Sequence, residues 1–182
     1  MRSFVFSSRW LLLAALAVAT LGAESPSVGA DAPGFTLRSL AGGDVQLSSV
    51  VDQGPVALVI LRGYPGKQCP VCSRQVHDFL GSADAFAKAH ARVLFVYPGP
   101  SDDLQSRAKE FVDDKTFPEH FSMLLDPDFK VTNLYGVRWD EKGQTAYPST
   151  FLIEESGKII YQKVSDSVGG RTSGAEMAKL LL

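Results

Sequence analysis

The chain holds two cysteines, Cys69 and Cys72, in the stretch GYPGKQCPVCSRQV from Gly63 to Val76. With Pro70 and Val71 between them they form a CxxC, a spacing that suits a dithiol–disulfide couple, half of a metal site, or a small staple. A disulfide across four residues constrains the unfolded chain little, about 2 kcal/mol against about 3 for a fifteen-residue loop. A staple therefore gives little reason for the chain's two cysteines to stand together at this place. Structural zinc needs four ligands, and no second CxxC is present. His77 lies five residues beyond Cys72 and off its face of a helix, and His90 and His120 read as surface histidines. A two-thiolate Cu(I) site is the metal alternative that soft sulfur ligands allow.

Redox work requires a thiolate, and the flanking sequence predicts one. VALVILR, Val56 to Arg62, is an unbroken β-branched and aliphatic run, the pattern of a buried central strand. After the cysteines, Val76, Phe79, Leu80, Ala83 and Phe86 recur at helical spacing, which predicts a helix from Pro70 to about Ala89. The pair thus sits where a helix begins, where unpaired N–H groups and the helix dipole stabilise negative charge. Between Asp52 and Asp78 the charged residues are Arg62, Lys67 and Arg74, all basic. A thiol with a pKa of about 8.5 is about 3% ionised at pH 7, and one lowered to about 6 is about 90% ionised, roughly a thirtyfold gain.

The remaining elements are those needed to hold such a pair. FTLRSL and DVQLSS around AGG predict a β-hairpin, and RVLFVYPG predicts a second buried strand. Ser101 is placed to cap a helix through Leu104, Ala108, Phe111 and Val112, with Asp102 and Asp103 at its N-terminus. SMLLDPD reads as a short strand and turn leading to a helix that ends at LYG. STFLIEE and KIIYQKV read as strands about the ESGK turn, and Ala175 to Leu181 as a terminal helix. Strands alternating with helices and ending in a hairpin make an α/β fold with a mixed central sheet flanked by helices.

The 182 residues, with a net charge of −2, fit one compact domain plus extensions and give no basic surface for nucleic acid. Residues 1–23 read as a secretory signal peptide. Arg2 and Arg9 precede the apolar run WLLLAALAVATL from Trp10 to Leu21, small residues follow, and the run is shorter than a spanning helix requires. Cleavage near Ala23 would leave a mildly acidic protein with no membrane segment, periplasmic or secreted, where disulfides persist; an uncleaved anchor is the alternative. Residues 24–33 read as a linker and 34–182 as the domain.

From Val28 onward the chain resembles the AhpC/TSA peroxiredoxin-like (redoxin) group of the thioredoxin superfamily. VGADAPGFTLRSLAGGDVQLSS, LLDPDFKVTNLYGV and YPSTFLIEESGKII carry the likeness. Peroxiredoxins carry P-x-x-x-[T/S]-x-x-C; here Pro65 stands seven residues before Cys72 and Cys69 occupies the Thr/Ser position, giving P-x-x-x-C-x-x-C. The resemblance implies a thioredoxin-like fold with an N-terminal β-hairpin extension, with Cys69 and Cys72 catalytic, Pro65 and Pro148 at the substrate, and no cofactor or metal. It makes Cys72 the peroxidatic position, while analogy with thioredoxin makes Cys69 the exposed attacking one. Where peroxiredoxins place an orienting Arg, this chain has Pro148, the place of a cis-proline in thioredoxin-like proteins. Arg138 and Arg171 are the candidates to replace that Arg.

The implied function is extracytoplasmic thiol oxidoreduction. The substrate is a peroxide or, alternatively, a protein disulfide in TlpA-like exchange, and a thioredoxin-like donor returns the electrons. A Sco-like copper module is a third possibility, disfavoured because such modules carry CxxxC.

Overall fold

The computed structural model describes residues 24–182. The expected signal peptide lies outside the described residues. Seven strands form one mixed sheet in the order β2-β1-β5-β4-β3-β6-β7. They are β1 Thr36–Ser39, β2 Asp44–Gln46, β3 Val56–Ile60, β4 Arg92–Gly99, β5 Phe121–Pro127, β6 Ser149–Ile153 and β7 Ile159–Val164. Helices α1 Leu47–Val51, α2 Pro70–Gly81, α3 Ala83–Lys88, α4 Leu104–Val112, α5 Lys130–Leu134 and α6 Gly174–Lys179 complete the chain. None of the described helices is long and apolar enough to cross a membrane.

The apolar runs lie where both sheet faces are covered. All five residues of β3 and all five of β6 are buried, and β3 lies parallel to β4 and antiparallel to β6. Alternate side chains enter two separate cores, as the pleat requires. On one face Leu58, Ile60, Val96 and Phe151 pack with Leu47 and Val51 of α1 and Val131 of α5. On the other, Val59, Phe95 and Tyr97 pack with α2, α3, α4 and α6, and both cysteines belong to this second core. Phe79 of α2 anchors that face. Its ring stacks on Phe86 at 5.6 Å and meets Phe95 edge-on at 5.6 Å, pairs each worth about 1 kcal/mol beyond burial.

Two helices depart from expectation. The predicted helix Pro70 to Ala89 is two, because Ser82 leaves helical geometry (φ −104°, ψ 8°) and its hydroxyl donates back to the Asp78 carbonyl at 3.2 Å. Such local side-chain bonds compete with the helix ladder. Ser101 does not cap α4: Asp103 takes the N-cap position with φ 62°, so Asp102 and Asp103 stand outside the first turn. Ser101 instead donates its backbone N–H to the Asp128 carboxylate at 2.9 Å. The DPD segment works through Asp126, which is fully buried and accepts from Val131 N, Thr132 N and Thr132 Oγ1, fixing the start of α5.

Beyond β3 the chain stays beside β4 as far as Tyr64, whose N–H donates to the Pro98 carbonyl at 3.4 Å, and Gly63 permits this close passage. Its φ is +71°, and a Cβ there would lie 2.0 Å from the Pro98 carbonyl oxygen. A side chain at this position meets both a left-handed backbone and a neighbouring strand. Gly63→Ala should lower unfolding free energy by at least about 2 kcal/mol in urea titration; an unchanged midpoint would show that the turn relaxes without strain.

Candidate active site

The loop from Leu61 to Gln68 delivers Cys69 to the start of α2. Pro65 lies half-buried in a bend at residues 65–67. Gln68 fastens the end of this loop, with Nε2 donating to the Arg107 carbonyl of α4 at 2.9 Å and Oε1 accepting from Tyr97 of β4 at 2.9 Å. Burial pushes the Tyr97 phenol up, so it stays a neutral donor. Neither Gln68 nor Tyr97 was singled out from the sequence, where one reads as loop and the other as strand core.

Cys69 is the N-cap of α2, with φ −96° and ψ 104°, and Pro70 follows at the first helical position, where no N–H is needed. Cys69 Sγ accepts the backbone N–H of Cys72 at 3.2 Å, the bond an N-cap oxygen usually accepts. Both thiols are free and buried, Cys69 at 2% exposure and Cys72 at 0%. The expectation of a distinctly exposed Cys69 is thus corrected: packing of the loop against α4 covers it. The access that remains is a cleft of about 300 Å³ between the α2 N-terminus and α4, lined by Cys69, Pro70 and Phe111 but not Cys72.

The two sulfurs are electrostatically unequal. The Cys72 side-chain hydrogen bond pulls the Cys69 thiol from 9.0 to about 5 against the opposing cost of burial, helped by the Cys72 N–H, Arg171 and Arg62. Burial pushes the Cys72 thiol well above its ordinary value, and its hydrogen bond to Cys69 raises it further. One negative charge is therefore shared by the pair and resides on Cys69.

The cation at the sulfurs is Arg171. One terminal nitrogen lies 3.4 Å from Cys72 Sγ and the other 3.9 Å from Cys69 Sγ. Of the two arginines the sequence offered, Arg138 serves elsewhere: it bonds the Trp139 and Thr145 carbonyls, pairs with Asp140 at 3.2 Å and stacks on Phe129. Of the basic residues near the pair in sequence, Arg62 acts on Cys69 from a distance and is the last of the contributions that lower it. Arg62 turns to Gln144 Oε1 at 2.8 Å, and Lys67 and Arg74 are exposed. Glu110, Asp113 and Asp114 meanwhile line the cleft from α4 and its end, a proximity that the local sequence could not reveal.

Pro148 is buried directly before β6, beside the point where the chain leaves β3, since Ser149 pairs with Ile60. Its peptide bond is trans, as are all peptide bonds among the described residues, which corrects the expected cis-proline. The flanking backbone explains this. Tyr147 N donates to the Val137 carbonyl and the Pro148 carbonyl accepts from Ser165 N, both at 2.9 Å, so the chain runs extended into β6 at a strand entry that needs no proline N–H. The histidines have ordinary partners: His77 lies 3.4 Å from Asp114 and His120 3.1 Å from the Ala83 carbonyl. Among the described residues no group of three or more His, Cys, Asp or Glu side chains is arranged to hold a metal ion.

A family model described as the AhpC/TSA family matches residues 28–162. The chain belongs to the AhpC/TSA family. Among its relatives, the chloroplastic peroxiredoxin Q of Oryza sativa subsp. japonica is 33% identical over 135 residues, 74% of this chain and 58% of that protein. The chain thus spans less than two thirds of that relative's length. Peroxiredoxin Bcp of Bacillus subtilis is 28% identical over 151 residues, 78% of this chain and 89% of that protein. The crystal structure of peroxidoxin BcpB from Mycobacterium tuberculosis superposes with a TM-score of 0.66 at 24% identity, covering 85% of this chain and 93% of that one. That likeness confirms the thioredoxin-like fold with its mixed central sheet.

The asymmetry of the pair is measurable. In the reduced protein, ultraviolet thiolate absorbance should appear as pH rises through about 5 and persist above it. Cys72→Ala removes the largest stabilising contact, so the midpoint should move upward while the helix N–H remains. A midpoint unchanged by Cys72→Ala would show that the second thiol does not share the charge.

Proposed function

We propose that this chain is a thiol peroxidase in which Cys69 attacks and Cys72 resolves. The observation that carries this reading is a buried cysteine at a helix N-cap, with a lowered pKa, a second thiol in the same turn and an arginine across both sulfurs. At pH 7 a thiol with a pKa of about 5 is about 99% ionised. The Cys69 thiolate attacks the nearer peroxide oxygen; the S–O bond forms, the O–O bond breaks, and the departing oxygen takes a proton to leave as water or an alcohol. Arg171 is placed to stabilise that departing oxygen. Cys72 then attacks the sulfenic sulfur; the S–S bond forms, the S–O bond breaks, and hydroxide leaves with the Cys72 proton as water. An external dithiol of the thioredoxin type returns the two electrons by exchange.

Pro65 and Pro148 are proposed to shape the approach to the pair, Pro65 from the loop before Cys69 and Pro148 from the neighbouring strand entry. The assignment of Cys69 as nucleophile, rather than the peroxiredoxin-position Cys72, rests on the N-cap hydrogen bond and on the cleft that reaches Cys69. The CxxC spacing itself favours a second reading, disulfide exchange with proteins, in which Cys69 forms the mixed disulfide. An extracytoplasmic location is proposed from the sequence of residues 1–23 alone; N-terminal sequencing of protein recovered from cell fractions tests it.

One equivalent of hydrogen peroxide should convert both thiols of the reduced protein to the Cys69–Cys72 disulfide, and catalytic protein with a dithiol donor should consume peroxide continuously. Rapid insulin reduction with negligible peroxide turnover would replace this reading with the exchange one.

A further inference from the structure

The approach to Cys69 carries charge that the packing does not use. The cleft that reaches its sulfur is lined from α4 and its end by Glu110, Phe111, Asp113, Asp114 and Lys115. Lys115 is committed to the protein. Its side chain is 2% exposed, Nζ donates to the Phe111 carbonyl at 2.7 Å and to the Asp114 carboxylate, and it lies 4.7 Å from the Phe111 ring centre. Asp114 is thereby neutralised, and His77 stands 3.4 Å from its other oxygen. Glu110 lies 3.4 Å from Arg107 in an exposed pair, which leaves the carboxylate open to water. Asp113 is exposed and forms no ion pair among the described residues.

Asp113 is also in the wrong place for stability. It is the C-cap of α4, at the negative end of the helix dipole, where a cation is favoured and an anion is not. No ion pair offsets this. A local rule broken at the rim of a reacting site, with no compensating contact, points to function. The other charges about the pair do not cancel it. Lys67 and Arg74 do not line the cleft. Arg62 lies beyond β3, and Arg171 faces the sulfurs, where the Cys69 thiolate opposes it in sign. The carboxylates of α4 therefore set the field along the approach.

We propose that Glu110 and Asp113 determine the choice of electron donor, selecting a dithiol that carries positive charge beside its attacking sulfur and turning away anionic thiols. The proposal rests on Cys69 being the reacting sulfur and names the chemistry of its partner. The cleft reaches Cys69 and not Cys72, so the donor thiolate attacks Cys69 of the oxidised pair. A donor–Cys69 S–S bond forms, the Cys69–Cys72 bond breaks, and Cys72 leaves and takes a proton. The second donor thiol loses its proton to solvent and attacks the donor sulfur of the mixed disulfide. Cys69 leaves as the thiolate, the donor ends as a disulfide, and two electrons have passed to the pair. Within the screening length of about 8 Å at physiological salt, Glu110 and Asp113 attract a donor cation during both steps and repel an anion.

The test begins on the reduced full chain without peroxide or donor. Iodoacetate, iodoacetamide and 2-bromoethylamine present an anionic, a neutral and a cationic alkylating group. Each rate is divided by that reagent's rate with 2-mercaptoethanol, and peptide mass spectrometry locates the label. At neutral pH and low salt the corrected rate at Cys69 should be about tenfold higher for the cation than for the anion. Glu110→Gln with Asp113→Asn should bring the two within about twofold and leave the iodoacetamide rate unchanged. Asp113→Asn alone should not lower Tm, since it removes an anion from a helix C-terminus. The oxidised protein is then reduced by a synthetic CxxC peptide flanked by lysines and by the same peptide flanked by glutamates, each corrected by its rate with a neutral disulfide. The lysine peptide should be faster by a similar factor, and the double variant should lose the preference. Should the double variant fail to fold, Asp113→Asn decides alone. Equal corrected rates for cation and anion, or a preference that the substitutions leave more than half intact, overturn the proposal. A label on Cys72 overturns instead the assignment of Cys69 on which it rests.

Discussion

The hydrogen bond from Cys72 N to Cys69 Sγ is the contact around which the site is organised, because it makes a sulfur the cap of α2. The first N–H groups of a helix need an acceptor, and an anionic acceptor suits them best. The element that presents the thiol therefore also lowers its pKa. The rest of the fold keeps this cap in place. β3 sends the chain out of the sheet, Gly63 turns it past Pro98, Gln68 fastens it to α4 and Tyr97, and the Phe79 cluster holds the helix body against the sheet.

Charge is sorted around the pair rather than concentrated there. Carboxylates line the cleft on the α4 side, whereas the segment before α6 brings a single guanidinium to the two sulfurs. A buried pair with one cation accommodates one negative charge, and a second thiolate beside it would be unfavourable. Cys72 consequently stays protonated while Cys69 is ionised, the arrangement a two-step oxidation requires. Disulfide formation between Cys69 and Cys72 would remove the anion that Arg171 faces.

The parts of the molecule legible in the sequence are those written in local pattern. The run Val56–Ile60, the hairpin about Ala41–Gly43, the strands about the Ser156–Gly157 turn and the cysteines at the head of α2 all follow from periodicity and turn chemistry. The β-rich edge, the mixed sheet and the family were legible too, through P-x-x-x-C-x-x-C and the segments that resemble it. What local pattern does not encode is contact across long separations. Arg171 lies 99 residues from Cys72 and could be named only as one of two candidates. Gln68 and Tyr97 carried no signal in the local pattern, one reading as loop and the other as strand core. The break at Ser82 and the left-handed Asp103 illustrate the usual weakness at element ends, where one side-chain bond or one backbone angle decides the boundary. The family analogy for Pro148 did not survive the local hydrogen bonding that draws the chain into β6 as a trans strand entry.

The central claim is that the site holds one reactive charge and that it resides on Cys69. Single-turnover oxidation of the two single-cysteine variants by hydrogen peroxide tests it most directly, with dimedone labelling and mass spectrometry to locate the oxidised sulfur. Cys72→Ser should react within about tenfold of the wild-type rate and accumulate a sulfenic acid on Cys69, while Cys69→Ser should react at least about a hundredfold more slowly. Fast oxidation of Cys69→Ser with the label on Cys72 would contradict the account and return the attacking role to the second cysteine.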